Sequence, residues 1–213
     1  MLESVTKVKP IIEDDTALDG IGWGFGVFRC KGVTPLIVNN PDYKLIPTSS
    51  KKKMSPKQQM ETALYYIDKD KKVYGFKANA FKLAMVNAAP YIDDRKMSKN
   101  KAMGCVKVNA KRLPKSKFMD LVRIYTKQGP VLGSDWTTNP TTGGQVQTHR
   151  PYFMDWHVDL PLKWIAESLT KKQVMKYLQQ AGACVGVGDW RQQKSGDKGE
   201  FEIIDLGDER EKL

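Results

Sequence analysis

Residues 170–206 read TKKQVMKYLQQAGACVGVGDWRQQKSGDKGEFEIIDL, and this run sets the class of fold. Thr170 and Gln173 have the spacing of a capping box, and Val174, Tyr177, Leu178 and Ala181 follow on one helical face as far as Gly182. The chain then passes into an apolar run, Ala183 to Val187, and Phe201 to Leu206 supplies another, which predicts a helix followed by two strands. Between those runs, glycines at 186, 188, 196 and 199 permit positive φ and close backbone approach, Arg191, Lys194 and Lys198 bring positive charge, and Trp190 offers a stacking face. Two readings fit the segment: a surface for a phosphate backbone, or a long hairpin turn whose Asp189, Asp197 and Glu200 dilute the field.

Upstream, Trp156, Val158, Leu160 and Leu162 alternate as the inward face of a strand. In Gly20 to Phe28 glycines alternate with bulky residues, so a strand there carries Ile21, Trp23, Phe25 and Val27 on one face and is bare on the other. A bare face suits close approach by a ligand or backbone, and equally a twisted edge strand. Thr34 to Asn39 reads as a buried strand closed by the turn Asn39-Asn40-Pro41, and Val73 to Phe76 as a segment entered from the turn 68–72. Asn79 is placed to cap a helix through Ala89 with Ala80, Leu83, Ala84, Asn87 and Ala88 on one stripe, ended by Pro90. Strands are expected at 102–109 and 120–126, whereas 60–67 fits helix and strand alike. Strand, helix, strand, twice over, predicts an α+β chain with a ferredoxin-like (RRM-like) antiparallel sheet, helices on one face, and inserted loops or hairpins. The expected layout is a loose leader at 1–19, one domain at 20–206 with insertions near 44–72 and 110–150, and a charged tail at 207–213.

The charge is regional. Of a formal net charge of +11, residues 44–127 carry 21 Lys and Arg against 6 Asp and Glu, and the remainder of the chain is net negative. Such a field suits a polyanion, and nucleic acid is the commonest. The clusters Arg95, Lys96, Lys99 and Lys101, and Lys111 and Arg112, are therefore candidate backbone contacts. An anionic membrane fits less well, because no strongly amphipathic helix accompanies the cations. No apolar run reaches bilayer length and the first residues lack an apolar signal core, so a cytoplasmic protein is expected.

Cys30, Cys105 and Cys184 are odd in number and lack a CxxC pair, which reads as core thiols rather than a disulfide framework or zinc knuckle. Arg191 stands where a dinucleotide fingerprint needs its third glycine, and no GxxxxGK[ST] occurs, so no cofactor is expected. Asp155, His157 and Asp159 share a strand face, but at roughly 6.5 to 7 Å between neighbours they converge poorly on one ion, and no metal is expected. His149, beside Arg150, and Tyr152 are candidate acid–base groups for a metal-independent RNA endonuclease. Gly129 to Gln145 reads as a long functional loop in which Trp136 is either a stacking finger or an anchor.

Three segments taken together resemble the RAMP superfamily, ferredoxin-like proteins best known as backbone subunits of CRISPR effector complexes. They are Val33 to Val38, similar to the family's opening strand motif; Tyr74 to Met85, similar to its short loop leading into a small-residue helix; and Gly186 to Phe201, similar to its C-terminal glycine-rich loop. The order of the three also matches, and the ending of glycine, glycine, acid, tryptophan and arginine resembles that of a group of phage proteins. The resemblance implies a groove for single-stranded nucleic acid between that helix and the glycine loop, with Lys77, Lys82, Gly186, Gly188, Trp190, Arg191, Lys194 and Lys198 beside it and Trp136 on an inserted thumb. The acidic residues of the loop depart from the family pattern. The function so implied is sequence-tolerant binding of single-stranded RNA or DNA without chemistry, by a homo-oligomer or filament along the strand, in phage replication or recombination or a CRISPR-like complex. The alternatives are the endonuclease and a non-catalytic phage inhibitor whose basic region docks an acidic protein or a guide complex.

Overall fold

The computed structural model of the chain describes residues 21–40, 46–51, 54–94, 96–109, 120–138 and 142–206. The expected leader and tail, Pro41, and the candidate contacts Arg95, Lys111 and Arg112 lie outside the described residues.

The class is α+β, with mostly antiparallel sheets. The strands are β1 (Trp23–Gly32), β2 (Leu36–Ile37), β3 (Tyr65–Asp68), β4 (Val73–Lys77), β5 (Val106–Val108), β6 (Leu121–Arg123), β7 (Val131–Thr138), β8 (Gln145–Phe153), β9 (His157–Ile165) and β10 (Phe201–Asp205). Among the described residues four helices of seven or more residues accompany them, α1 (Pro56–Thr62), α2 (Ala78–Ala88), α3 (Lys99–Cys105) and α4 (Lys171–Cys184), beside a single helical turn at Thr48–Lys51. The strands form a four-stranded sheet in the order β10-β1-β9-β5 and two three-stranded sheets, β2-β8-β7 and β3-β4-β6. Every pairing between neighbours is antiparallel.

The alternation read in β9 orders the main layer. Val158, Leu160, Leu162 and Trp164 are buried, together with Phe28 and Cys30 of β1, and they meet Phe81 and Met85 of α2 and Tyr177 and Leu178 of α4 in one core. The glycine face of β1 belongs to this core. A Cβ on Gly24 would lie 2.4 Å from the Trp164 indole, and one on Gly32 would lie 2.1 Å from Trp156 Nε1. The bare face thus makes room for tryptophans of the same protein, and β1 is a central strand rather than an edge.

Several boundaries differ from the sequence reading, each for a local reason. Gly182 does not end α4, which runs on to Cys184. A Cβ at that glycine would sit 1.9 Å from the Phe201 carbonyl oxygen, so it serves close packing of helix on β10. Val185 to Val187 is consequently not a strand, because Gly186 (φ 69°) turns the chain at once. The strand expected over 102–109 begins as helix α3, whose first turn is capped by the Ser98 hydroxyl accepting from Lys101 N–H (3.2 Å), and only β5 remains extended. The ambiguous 60–67 is both: α1, entered through a capping box at Ser55 and Gln58, ends at Thr62, and β3 follows. The helix expected to be capped by Asn79 starts two residues earlier, with Lys77 at the cap position, where Ala78 N–H donates to the Asp120 carbonyl of the chain entering β6 (2.9 Å). The long loop at 129–145 is largely a hairpin, β7 with β8, and the outward position of most β7 side chains explains why apolar alternation did not announce it.

Candidate nucleic-acid interface

The end of the main layer where β4 enters α2 and α4 leaves for β10 carries an open groove of about 580 Å³. On one wall are Lys77, Asn79, Ala80 and Leu83, from the first turns of α2, and on the other Gly186, Gly188 and Arg191, with Asp120 also at the lining. The stripe read from the sequence, Ala80, Leu83, Ala84 and Asn87, lines this groove rather than forming the core face, with Leu83 53% exposed, while Phe81 and Met85 are the large side chains that α2 turns inward. The first turn of a helix also carries a partial positive charge.

Conformation and packing both require the glycines of the loop. Gly186, Gly188 and Gly199 have φ of 69°, 85° and 70°. A Cβ on Gly199 would stand 1.7 Å from the Val187 carbonyl oxygen. The loop is stitched down: Asp189 N–H donates to the Ile37 carbonyl (3.1 Å), Gly199 N–H to the Pro35 carbonyl (2.9 Å) and Val187 N–H to the Gly199 carbonyl (2.9 Å). Trp190 is held at φ 55°, unusual for a bulky residue, and is 43% exposed, next in the chain to Arg191 but not itself lining the groove.

Two of the three acidic residues of the loop are occupied within the fold. Asp189 binds Arg150 (3.2 Å) and accepts from Asn39 Nδ2 (2.9 Å), which ties the loop to the β2-β8-β7 sheet, and Asp197 pairs with Lys198 (3.0 Å). Arg191, in contrast, has only neutral partners, the Gly188 carbonyl (3.0 Å) and Gln193 Oε1 (3.4 Å), and makes no ion pair among the described residues. Its charge faces the groove without a counter-charge in contact.

The expected contact residues separate into several places. Lys77, Gly186, Gly188 and Arg191 share the groove. Lys194 is exposed on the short 3-10 turn beside it, and Lys198 is bound up with Asp197. Lys82 projects toward the β5 edge, where burial and then the charge of Lys107 lower its pKa. Lys96 and Lys101 line a different hollow with Lys172 and Lys176, and Lys99 lies exposed on the first turn of α3. Trp136 is 63% exposed on β7, which answers the choice between finger and anchor: it does not fold onto its own domain.

His149 and Tyr152 stand on opposite faces of β8. His149 Nδ1 shares a hydrogen with Ser134 Oγ (2.8 Å), whereas the Tyr152 hydroxyl donates to Asp135 on the other face. Burial, followed by that hydrogen bond, pushes the Tyr152 hydroxyl well above the ordinary tyrosine range. The two groups cannot serve one scissile bond. Asp155, His157 and Asp159 likewise go separate ways: Asp155 accepts from Lys127 N–H (2.9 Å), His157 stacks on Tyr125, and Asp159 pairs with Arg29 (2.7 Å). Among the described residues no three His, Cys, Asp or Glu side chains gather as a metal site, and no helix is long and apolar enough to cross a membrane.

The sequence reading missed the outer face of the four-stranded sheet. Residues of odd number on β1 and β9 point away from the helices, and there Lys107 and Lys163 lie over the Trp23 ring at 4.9 and 5.1 Å. At the other end Tyr125 stacks on His157 with centroids 4.8 Å apart and planes 6° from parallel, and Arg123 lies over Tyr125 at 4.6 Å. The alternation of Trp23 and Phe25 with glycines was the available signal, but it does not show which strands lie alongside. Neither family models nor curated proteins match the chain.

Proposed function

We propose that the chain binds single-stranded nucleic acid without sequence preference, the backbone running through the groove between the first turns of α2 and the glycine loop. The observation that carries this reading is the meeting of Lys77 and Arg191 with Gly186 and Gly188, which leave room for close approach, in one open groove, with Arg191 lacking a carboxylate partner among the described residues. Cations read phosphate and not base, so the recognition is sequence-tolerant. Trp190, next to Arg191, and Trp136 on the protruding hairpin supply rings on which bases stack.

On this reading the sheet β10-β1-β9-β5, with α2 following β1 and α4 following β9, is a ferredoxin-like unit of RAMP type. The β3-β4-β6 sheet and the β7–β8 hairpin are its insertions, the hairpin acting as a thumb. The protein performs no chemistry, and successive copies line up along one strand. Fluorescence anisotropy with labelled oligo(dT) and oligo(U) tests the binding. Affinity falls steeply as salt is raised, and an affinity flat across the titration refutes the reading. Negative-stain micrographs with and without oligonucleotide test the assembly.

A further inference from the structure

We propose that the outer face of the four-stranded sheet, centred on Trp23, Lys107 and Lys163, is a second binding surface for single-stranded nucleic acid, separate from the groove. Lys107 and Lys163 are direct cross-strand partners, an arrangement of like charges that weakens a sheet. Both ammonium groups lie over the same indole, and the charge of Lys107 also acts on Lys82 of α2. None of these three lysines forms an ion pair among the described residues. Elsewhere on the same face Arg29 is matched by Asp159 at 2.7 Å and Lys31 by Glu202 at 3.0 Å, while Arg123 lies over the Tyr125 ring with no ion pair among the described residues. The fold therefore neutralises one part of the face and concentrates unmatched charge around an aromatic ring at the other. Phosphates supply the missing counter-charge, and a base stacks on the indole where an ammonium leaves the ring for a phosphate. The Arg123–Tyr125–His157 stack repeats the pairing of cation with ring farther up the face. An acidic protein meets the charge alone and leaves the rings unused, which favours nucleic acid.

The proposal stands independently of the groove, and the test separates the two. Oligo(dT) and oligo(U) binding is followed by anisotropy across a salt titration for the wild type, K107E, R191Q and the double variant. K107E replaces a like-charge pair by an opposite-charge pair with Lys163, so its melting temperature is unchanged or raised. Its affinity falls at least about fivefold, and its salt slope shrinks by about 0.7 for each phosphate that the face no longer neutralises, in the wild-type and the R191Q background alike. Wild-type binding by K107E beside impaired binding by R191Q overturns the second surface and leaves the groove standing. Impaired binding by K107E beside an unaffected R191Q overturns the groove and leaves the second surface. Displacement of the oligonucleotide by polyglutamate as readily as by unlabelled oligo(dT) assigns the face to acidic protein and overturns the proposal. A wild type that binds neither oligonucleotide overturns both.

Discussion

Replacing Arg191 by glutamine removes the groove's unmatched cation while keeping a side chain of similar reach. A hydrogen bond to a charged group contributes about 1.5 to 3 kcal/mol, and solvent at the open groove reduces that toward its lower end, so affinity for an oligonucleotide short enough to occupy the groove alone falls about tenfold at low salt. The logarithm of affinity against the logarithm of salt flattens by about 0.7, the increment for one neutralised phosphate on a single strand. Arg191 also holds the loop through the Gly188 carbonyl, so R191Q lowers stability by about 0.5 to 1.5 kcal/mol. R191K separates the two effects. It keeps the positive charge and loses the planar fork, so its salt slope stays at the wild-type value although its stability falls with that of R191Q. Anisotropy titrations at several salt concentrations, beside urea denaturation, give both quantities. A folded R191Q whose salt slope equals that of the wild type refutes the placement of a phosphate in the groove.

Gly199→Ala forces a Cβ to within 1.7 Å of the Val187 carbonyl oxygen at φ 70°, and it lowers denaturant stability by more than about 3 kcal/mol. Gly104→Ala, in α3 with nothing within 4 Å of the new methyl, raises it by about 0.5 to 1 kcal/mol. Trp136→Ala leaves the melting temperature in place, since the side chain is 63% exposed, and weakens oligonucleotide binding by about 1 to 3 kcal/mol if one base stacks there. Burial, helped by Arg29, lowers the His157 pKa below its ordinary 6.5. The unfolded chain therefore takes up this proton before the folded one does, and stability falls as pH drops from 6.5 through the folded value and is unaffected by this group above that window. Denaturation midpoints of His157→Gln, compared with the wild type on either side of the window, show the smaller acid loss expected when that histidine is absent.

The parts of the fold legible in sequence were those where one residue pattern has one physical outcome. The capping box at Thr170 and Gln173 and the inward alternation of β9 both occur as read. The positive φ of Gly186, Gly188 and Gly199 follows from what glycine alone tolerates. Misreadings arose where a tertiary neighbour decides. Gly182 carries the signature of a helix end, but its missing side chain accommodates the Phe201 carbonyl from a strand 19 residues on. Asn79 looks like a cap, yet the Asp120 carbonyl receives the Ala78 N–H and the helix starts sooner. The site was legible in the same measure. Lys77 and Arg191, 114 residues apart, were paired only through the family resemblance, and they do line one groove. Lys107 and Lys163 were invisible as a pair because their closeness is a matter of register between β5 and β9, which no local pattern encodes.

The geometry of β6 makes a prediction about ligand length. Asp120 lines the groove, and five residues on, Tyr125 stacks on His157, so one extended segment of about 17 Å leads from the groove to the near end of the outer face, and a strand must run on along six more residues of β9, about 20 Å, to reach Lys163 and Lys107. A strand too short to span that distance occupies one surface at a time, and its affinity reports that surface alone. A longer strand binds the second surface intramolecularly, at an effective concentration fixed by the span, and avidity then exceeds either single affinity by about 10² or more. Affinity for an oligo(dT) length series therefore rises in a step and not in proportion to length. The step disappears in K107E and in R191Q alike, because either substitution leaves one working surface. Affinity that grows smoothly with length in the wild type, with the same curve displaced in parallel for each variant, means that the two surfaces do not share a strand.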